Sequence, residues 1–338
     1  MIKQIFQKIK QIVKENRKFF ILFLVLLILF TYEFPYYIET PGGTIDISSR
    51  IEVEKGYSST GSFHLAYVSE RKATIPTLLI SRFKKDWDII KRSEMVMENE
   101  ELKDVYFRDH LQLEEANQNA ILVAYQKASK TVNKINSHLY VTYIDPLAET
   151  DLKVGDEILQ INGITITEKT ELQAIIASHE TDTILEFTIL RNQKEKKAQA
   201  KIIAYQEAKM IGLMITEKQE LETDPQITFH FKSSESGPSG GLMMALAIYN
   251  QLVKEDITKG KKIVGTGTID SEGNVGQIAG VKYKLKGAEK AKADIFFVPN
   301  GKNYEEAIQL KNDFDYEIEI VGVNTFDEAL EYLKTYIN

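Results

Sequence analysis

Gly237-Pro238-Ser239-Gly240-Gly241 runs directly into Leu242-Met243-Met244-Ala245-Leu246-Ala247-Ile248-Tyr249-Asn250. The second stretch is apolar, lacks β-branched alternation and has helical composition, so it reads as a buried helix. A serine just ahead of it lies where free backbone N–H groups and the positive end of the helix dipole can stabilise an oxyanion. Ser239 is therefore a candidate nucleophile. The same five residues also fit a plain glycine-rich turn capped by serine, and the rest of the chain must decide between the two.

The five histidines are His64, His110, His138, His179 and His230, and none follows Ser239. An α/β-hydrolase triad runs serine, acid, histidine along the chain, so that arrangement is excluded. A chymotrypsin-like order is permitted, but there the serine leads into a strand rather than a helix. His230 stands in the alternating run Ile227-Thr228-Phe229-His230-Phe231 and reads as a strand residue.

Without a histidine, the proton of Ser239 must go elsewhere, and a lysine made neutral by desolvation or nearby positive potential can take it. Val281, Leu285, Ala288 and Ala291 form an apolar stripe at helical spacing. Lys282 lies in the first turn of that helix, just after Gly280, where the dipole disfavours a protonated amine. Lys284, Lys286, Lys290 and Lys292 fall later and read as a solvated face.

The stretch from about Ile227 to Pro299 resembles the proteolytic domain of the Lon family, whose members use a Ser–Lys dyad. Gly237-Pro238-Ser239-Gly240-Gly241 is similar to its nucleophile motif, with Gly240 for the usual alanine. Thr266-Gly267-Thr268-Ile269, the turn Asp270 to Asn274, the segment Val275 to Lys282 and the strand Ala293 to Pro299 follow in the family's order. The resemblance implies Ser239 as nucleophile, Lys282 as general base and acid, and Thr266 as a hydrogen-bond partner orienting the lysine. Many members carry an acid two residues before the proline of this motif. Ser236 stands there instead.

Composition narrows the chemistry. Net charge is −7 and 43% of the 338 residues are hydrophobic, a globular balance with no basic footprint for nucleic acid. There is no cysteine, which removes disulfides, thiolate catalysis and cysteine zinc sites, and suits work outside a cell without oxidative folding. No His-Glu-x-x-His and no Gly-x-x-x-x-Gly-Lys-Ser/Thr loop occurs, so metalloprotease and ATP-driven unfoldase parts are lacking and no metal or cofactor is expected.

Phe19 to Phe30 is an unbroken apolar run led by Lys3, Lys8, Lys10, Lys14, Arg17 and Lys18 and followed by Glu33, Glu39 and Asp46. Extended through Tyr32, Tyr36 and Tyr37, it reaches the ~20 residues of a transmembrane span, with the tyrosines at an outer interface. The basic flank predicts a signal anchor with the N-terminus inside and the bulk of the chain outside. Ile2, Ile5, Phe6, Ile9 and Ile12 share a helical face among lysines, as in an interfacial helix on the inner leaflet or a continuation of the same helix.

Between this segment and Ser239, Leu139 to Ile144 reads as a strand, a helix carries Leu172, Ile175 and Ile176 on one face, and Ile184 to Arg191 reads as another strand. Val154-Gly155-Asp156-Glu157-Ile158-Leu159-Gln160-Ile161-Asn162-Gly163 carries a resemblance to PDZ domains, with Gly155-Asp156 as a turn and Asn162-Gly163 as a hairpin. The resemblance implies capture of an extended peptide by strand addition. No Gly-Leu-Gly-Phe precedes Leu139, and Ile211-Gly212-Leu213 is the nearby candidate for a carboxylate-binding loop.

Pro41-Gly42-Gly43 reads as a turn, Gly61 to Val68 as a strand and Leu111 to Ala128 as a helix similar to the first helix of Lon-type domains. The expected organisation is α+β: a cytoplasmic basic segment 1–18, a transmembrane helix 19–37, a segment 38–134 completing the protease, a PDZ-like domain 135–204 and a Lon-type domain 205–338. The expected protein is a membrane-anchored, ATP-independent serine endopeptidase resembling surface proteases of Gram-positive bacteria, acting on peptides and flexible segments. Its expected partners are those peptides and the membrane, with ring assembly left open by the family resemblance. The competing reading is a non-catalytic adaptor that binds peptides through its PDZ-like unit.

Overall fold

The computed structural model describes residues 2–206, 208–232 and 234–335. The chain divides into two compact units, one of residues 1–41 and 69–95, the other of residues 42–68 and 96–338.

In the first unit, helices Ile2–Glu15 and Arg17–Thr31 are separated at Asn16, whose side-chain amide donates to Ile12 O at 3.0 Å. Tyr36 to Glu39 pair antiparallel with Asp88 to Lys91. A short helix, Ile75–Ser81, starts at a box in which Thr77 Oγ1 accepts the Thr74 N–H at 2.8 Å.

The expected transmembrane helix is not there. Helix Arg17–Thr31 has 15 residues, a rise of about 22 Å at 1.5 Å per residue, against a hydrocarbon core of ~30 Å. Tyr32 is already extended, and Tyr36 and Tyr37 open the Tyr36–Asp46 strand, with Tyr37 buried opposite Ile90. Among the described residues no helix is long and apolar enough to cross a membrane. The 19–37 anchor, and the single-pass placement with an outside catalytic domain that rested on it, therefore lose their support. Pro41-Gly42-Gly43 is likewise no turn. It lies within the same strand, where a Cβ on Gly42 would sit 2.4 Å from Cδ2 of Tyr67, so glycine there permits close approach rather than reversal.

In the second unit, strands Glu319–Val323, Ile295–Pro299, Lys262–Gly265 and the start of Ser62–Lys72 are neighbours in that order, all parallel. Parallel strands need crossovers, and helices Gly241–Leu252, Val281–Lys290, Lys302–Phe314 and Phe326–Thr335 alternate with them. The architecture is mixed α/β here, rather than the expected α+β segregation. Strand periodicity sorts the sheet's two faces. Ile263, Ile295 and Phe297 join a core with Leu113, Ala120, Leu246 and Leu330, while Val264, Phe296 and Val298 join Val281, Leu285, Ala288 and Ala307 on the other face. All of Ile295–Pro299 is buried, as expected for a strand covered on both sides.

Helix Leu102–Lys127, longer than the expected Leu111 to Ala128, packs Leu113, Ala116, Ala120, Val123 and Ala124 into the first of those cores. A separate core, from Leu139 to Ile211, belongs to an antiparallel sheet ordered Leu213–Asp224, Thr131–Ile144, Glu157–Ile161, Ile184–Arg191, Lys194–Lys201. Its Ile161 and Ile164 pair across Asn162-Gly163, with φ of 51° and 79°, the left-handed conformation that a two-residue hairpin requires. Asp156, fully buried, accepts from Arg191 Nε and Nη2 at 2.6 Å each and from the Lys153 N–H at 2.7 Å, which fixes the preceding turn.

Candidate active site and peptide groove

The parallel strand Lys262–Gly265 ends at Thr266, which is fully buried and whose N–H donates to Phe297 O at 3.0 Å. Helix Gly241–Leu252 on one face of the sheet and helix Val281–Lys290 on the other both begin near this strand end, the place where open α/β sheets commonly bind ligands.

Ser239 lies just outside the first of these helices, which starts with Gly240 in the cap position. Its carbonyl oxygen accepts from Thr266 Oγ1 at 3.0 Å and from the Gly267 N–H at 2.8 Å. Gly237 has φ of 89°, a conformation that a side chain would strain. Its N–H donates to Asp109 O at 3.0 Å, and burial raises the Asp109 carboxyl. At the helix start the Gly241 and Leu242 N–H groups are already committed, to Pro238 O at 3.3 Å and Gly267 O at 3.1 Å. Gly240 is buried, and its carbonyl accepts the Met244 N–H at 3.0 Å.

Lys284, expected on a solvated face, is 4% exposed. Its Nζ donates to Thr266 Oγ1 at 3.2 Å. Burial lowers its pKa to about 8. Thr266 therefore touches both Ser239 and Lys284, receiving from the lysine and donating to the serine's carbonyl. Lys282 is half-buried, with Nζ 5.4 Å from the centroid of the Tyr283 ring. Residues two apart on a helix point about 200° apart, so the helix face that turns Lys284 toward Thr266 turns Lys282 away. The signal for Lys284 is present in the sequence: 281, 284, 285 and 288 follow the i, i+3, i+4, i+7 pattern, which puts Lys284 on the apolar stripe itself. His230 lies beyond the end of strand Ile227–Phe229 with Nε2 3.8 Å from Glu52, and His64 Nε2 faces Ser62 Oγ at 2.9 Å.

A second concavity of about 750 Å³ opens between helix Lys169–Ser178 and the start of strand Leu213–Asp224. Leu172, Ile176, Ile211, Leu213 and Ile215 give it an apolar lining, and Lys169 and Lys209 stand among its polar residues. Strand Leu213–Asp224 pairs with Thr131–Ile144 on one side and is an edge of its sheet on the other. The candidate loop Ile211-Gly212-Leu213 lines this concavity, with Gly212 O accepting the Asp145 N–H at 2.8 Å.

Residues 117–202 match the PDZ domain family. The chain carries a PDZ domain. The match takes in the end of helix Leu102–Lys127 and most of the antiparallel sheet, and stops before the groove-edge strand Leu213–Asp224. The chain is also 27% identical over 222 residues to the Lon protease of Campylobacter jejuni, covering 60% of this chain and 25% of that protein. Over 112 residues it is 27% identical to the archaeal Lon protease of Halobacterium salinarum, covering 33% of this chain and 15% of that protein. The PDZ domain of the SdrC-like protein from Listeria monocytogenes aligns at 23% identity over 23% of this chain and 85% of that domain, with a TM-score of 0.21. The chain thus spans a quarter or less of these curated relatives, and its similarity to Lon proteases is partial.

Proposed function

We propose that the chain is a serine endopeptidase in which Ser239 is the nucleophile and Lys284, rather than Lys282, is the general base. The observation that carries this reading is Thr266 Oγ1, held between Lys284 Nζ at 3.2 Å and Ser239 O at 3.0 Å. In this reading neutral Lys284 takes the Ser239 hydroxyl proton, and Ser239 Oγ attacks a peptide carbonyl. The tetrahedral intermediate collapses as the protonated lysine returns its proton to the leaving amine. Water, deprotonated by the same lysine, then releases the acyl group and regenerates Ser239. With Gly241 and Leu242 N–H committed, the proposed oxyanion donors are the Ser239 and Gly240 N–H groups.

On this reading the chain divides into a proteolytic body, drawn from residues 42–68, 96–130 and 225–338, and a peptide-binding insert at 131–224. Its support is the single core shared by Ile47, Leu113, Leu246 and Leu330, apart from the core of Leu139 to Ile211. No nucleotide is invoked, and the proposed substrates are peptides and flexible segments that need no unfolding. The test is digestion of β-casein by the full chain without ATP, beside labelling by a serine-reactive fluorophosphonate. Wild type should digest and label, and Ser239→Ala should do neither while keeping its circular dichroism spectrum. Digestion by Ser239→Ala would overturn the reading.

A further inference from the structure

Residues 230–232 and 234–238, which lead to Ser239, lie outside regular secondary structure, so something other than a helix or sheet ladder must hold the nucleophile in register. Arg50 grips it twice. Its carbonyl accepts the His230 N–H at 2.8 Å, and its guanidinium forks onto the Glu235 carboxylate, Nη2 to Oε1 at 2.7 Å and Nε to Oε2 at 2.9 Å. Glu235 Oε2 in turn accepts the Lys232 N–H at 3.0 Å, and the Glu235 N–H donates to Lys232 O at 2.9 Å. The carboxylate therefore ties a local turn to a residue 185 positions earlier in the chain. The side chains are 14% and 15% exposed, so the pair is largely shielded from screening water.

Burial by itself would raise the Glu235 carboxyl, and hydrogen bonds from Arg50 and the Lys232 N–H carry it below the usual carboxylate range. Two-pronged contacts of this kind fix direction as well as distance, because the planar guanidinium matches the carboxylate's two oxygens. Three residues separate Glu235 from Ser239, and among them Gly237 N–H to Asp109 O and Pro238 restrict the remaining freedom.

We infer that Arg50 and Glu235 are a positioning pair that sets the nucleophile segment, so that the charge on each is needed for turnover although neither touches substrate. This inference rests on Ser239 being the nucleophile. A misplacement of about 1 Å at a reacting atom can cost on the order of a hundredfold in rate. Since neither side chain is proposed to contact substrate, the loss should fall on kcat.

The experiment measures kcat and KM of the full chain on a fluorogenic peptide cut from a β-casein cleavage site, with Ser239→Ala as the inactive reference. Glu235→Gln should lower kcat by about tenfold to a hundredfold, leave KM within about twofold and slow fluorophosphonate labelling in step. Arg50→Gln breaks the same pair from the other side and carries the test where Glu235→Gln does not fold. The exchange Arg50→Glu with Glu235→Arg should recover more than half of the lost rate on a logarithmic scale, a rescue that simple loss of packing would not give. Retention of more than half of wild-type kcat by a folded single variant, or no recovery by a folded exchange variant, would overturn the inference. Digestion by Ser239→Ala would instead remove the reading beneath it.

Discussion

Lys284 reaches Thr266 across 3.2 Å from the far face of the parallel sheet, while the helix that follows Ser239 packs on the near face. Thr266, the residue just past strand Lys262–Gly265, is where a group from each side is joined. Thr266 occupies that position with no exposure to solvent. A buried hydroxyl with one donor to give must choose its acceptor, and here it gives to Ser239 O and leaves its lone pair to Lys284.

Replacing Thr266 by valine keeps the shape and deletes the hydroxyl. Thr266→Val should therefore lower kcat by about tenfold to a hundredfold, the range general-base positioning typically supplies, with KM little changed. Thr266→Ser should keep most of the rate. Steady-state kinetics of the two variants on one peptide check this, and equal losses in both would place the importance of Thr266 in its methyl group.

The pH dependence follows from Lys284. Burial lowers it from 10.5 to about 8, and a lysine must be neutral to accept a proton. Activity should accordingly rise as pH increases through about 8, read as kcat/KM against pH with a peptide that does not titrate there. Glutamine substitution of His64, His110, His138, His179 or His230 should leave that rise in place.

Stability carries the same sign. A lysine whose folded pKa lies below its unfolded value is bound more tightly to its proton when unfolded, so folding is penalised at neutral pH and the penalty fades as pH rises from about 8 to 10.5. The full change is on the order of 3 kcal/mol for a shift of this size. Denaturant melts of wild type should gain stability across that window, and Lys284→Met should lack the gain.

The groove beside strand Leu213–Asp224 should bind extended peptides by strand addition, with the Ile211-Gly212-Leu213 loop receiving a terminal carboxylate. Ile176→Arg places a charge in the apolar lining and should weaken binding of a peptide ending in an apolar residue by at least about tenfold, since burying an unpaired charge is costly. Fluorescence anisotropy measures it. A peptide with an amidated end that binds as well as the free acid would remove the carboxylate role from that loop.

Much of this architecture is legible in the sequence because its elements carry local signals. Gly155-Asp156 and Asn162-Gly163 turn where their composition says, the apolar run after Gly241 is a buried helix, and Ile295 to Pro299 is a strand. The misreadings arise where a tertiary neighbour overrides a local rule. Pro41-Gly42-Gly43 looks like a turn until Tyr67 packs against Gly42. The tyrosines after Phe30 look interfacial until Tyr37 pairs with Ile90 in a sheet. Lys284 looks solvated because lysines usually are, although its place on the stripe of Val281, Leu285 and Ala288 points inward. The Arg50–Glu235 contact joins residues 185 apart, and no spacing rule reaches that far.

The most direct measurement compares Lys284→Met with Lys282→Met, each purified as the full folded chain and assayed for kcat/KM on the same peptide at pH 8. Lys284→Met should lose cleavage by at least about a thousandfold, as removal of a nucleophile's activating base does, while Lys282→Met should stay within about threefold of wild type. Near-normal cleavage by folded Lys284→Met, with activity lost in Lys282→Met, would contradict the account and return the base to the first turn of the helix.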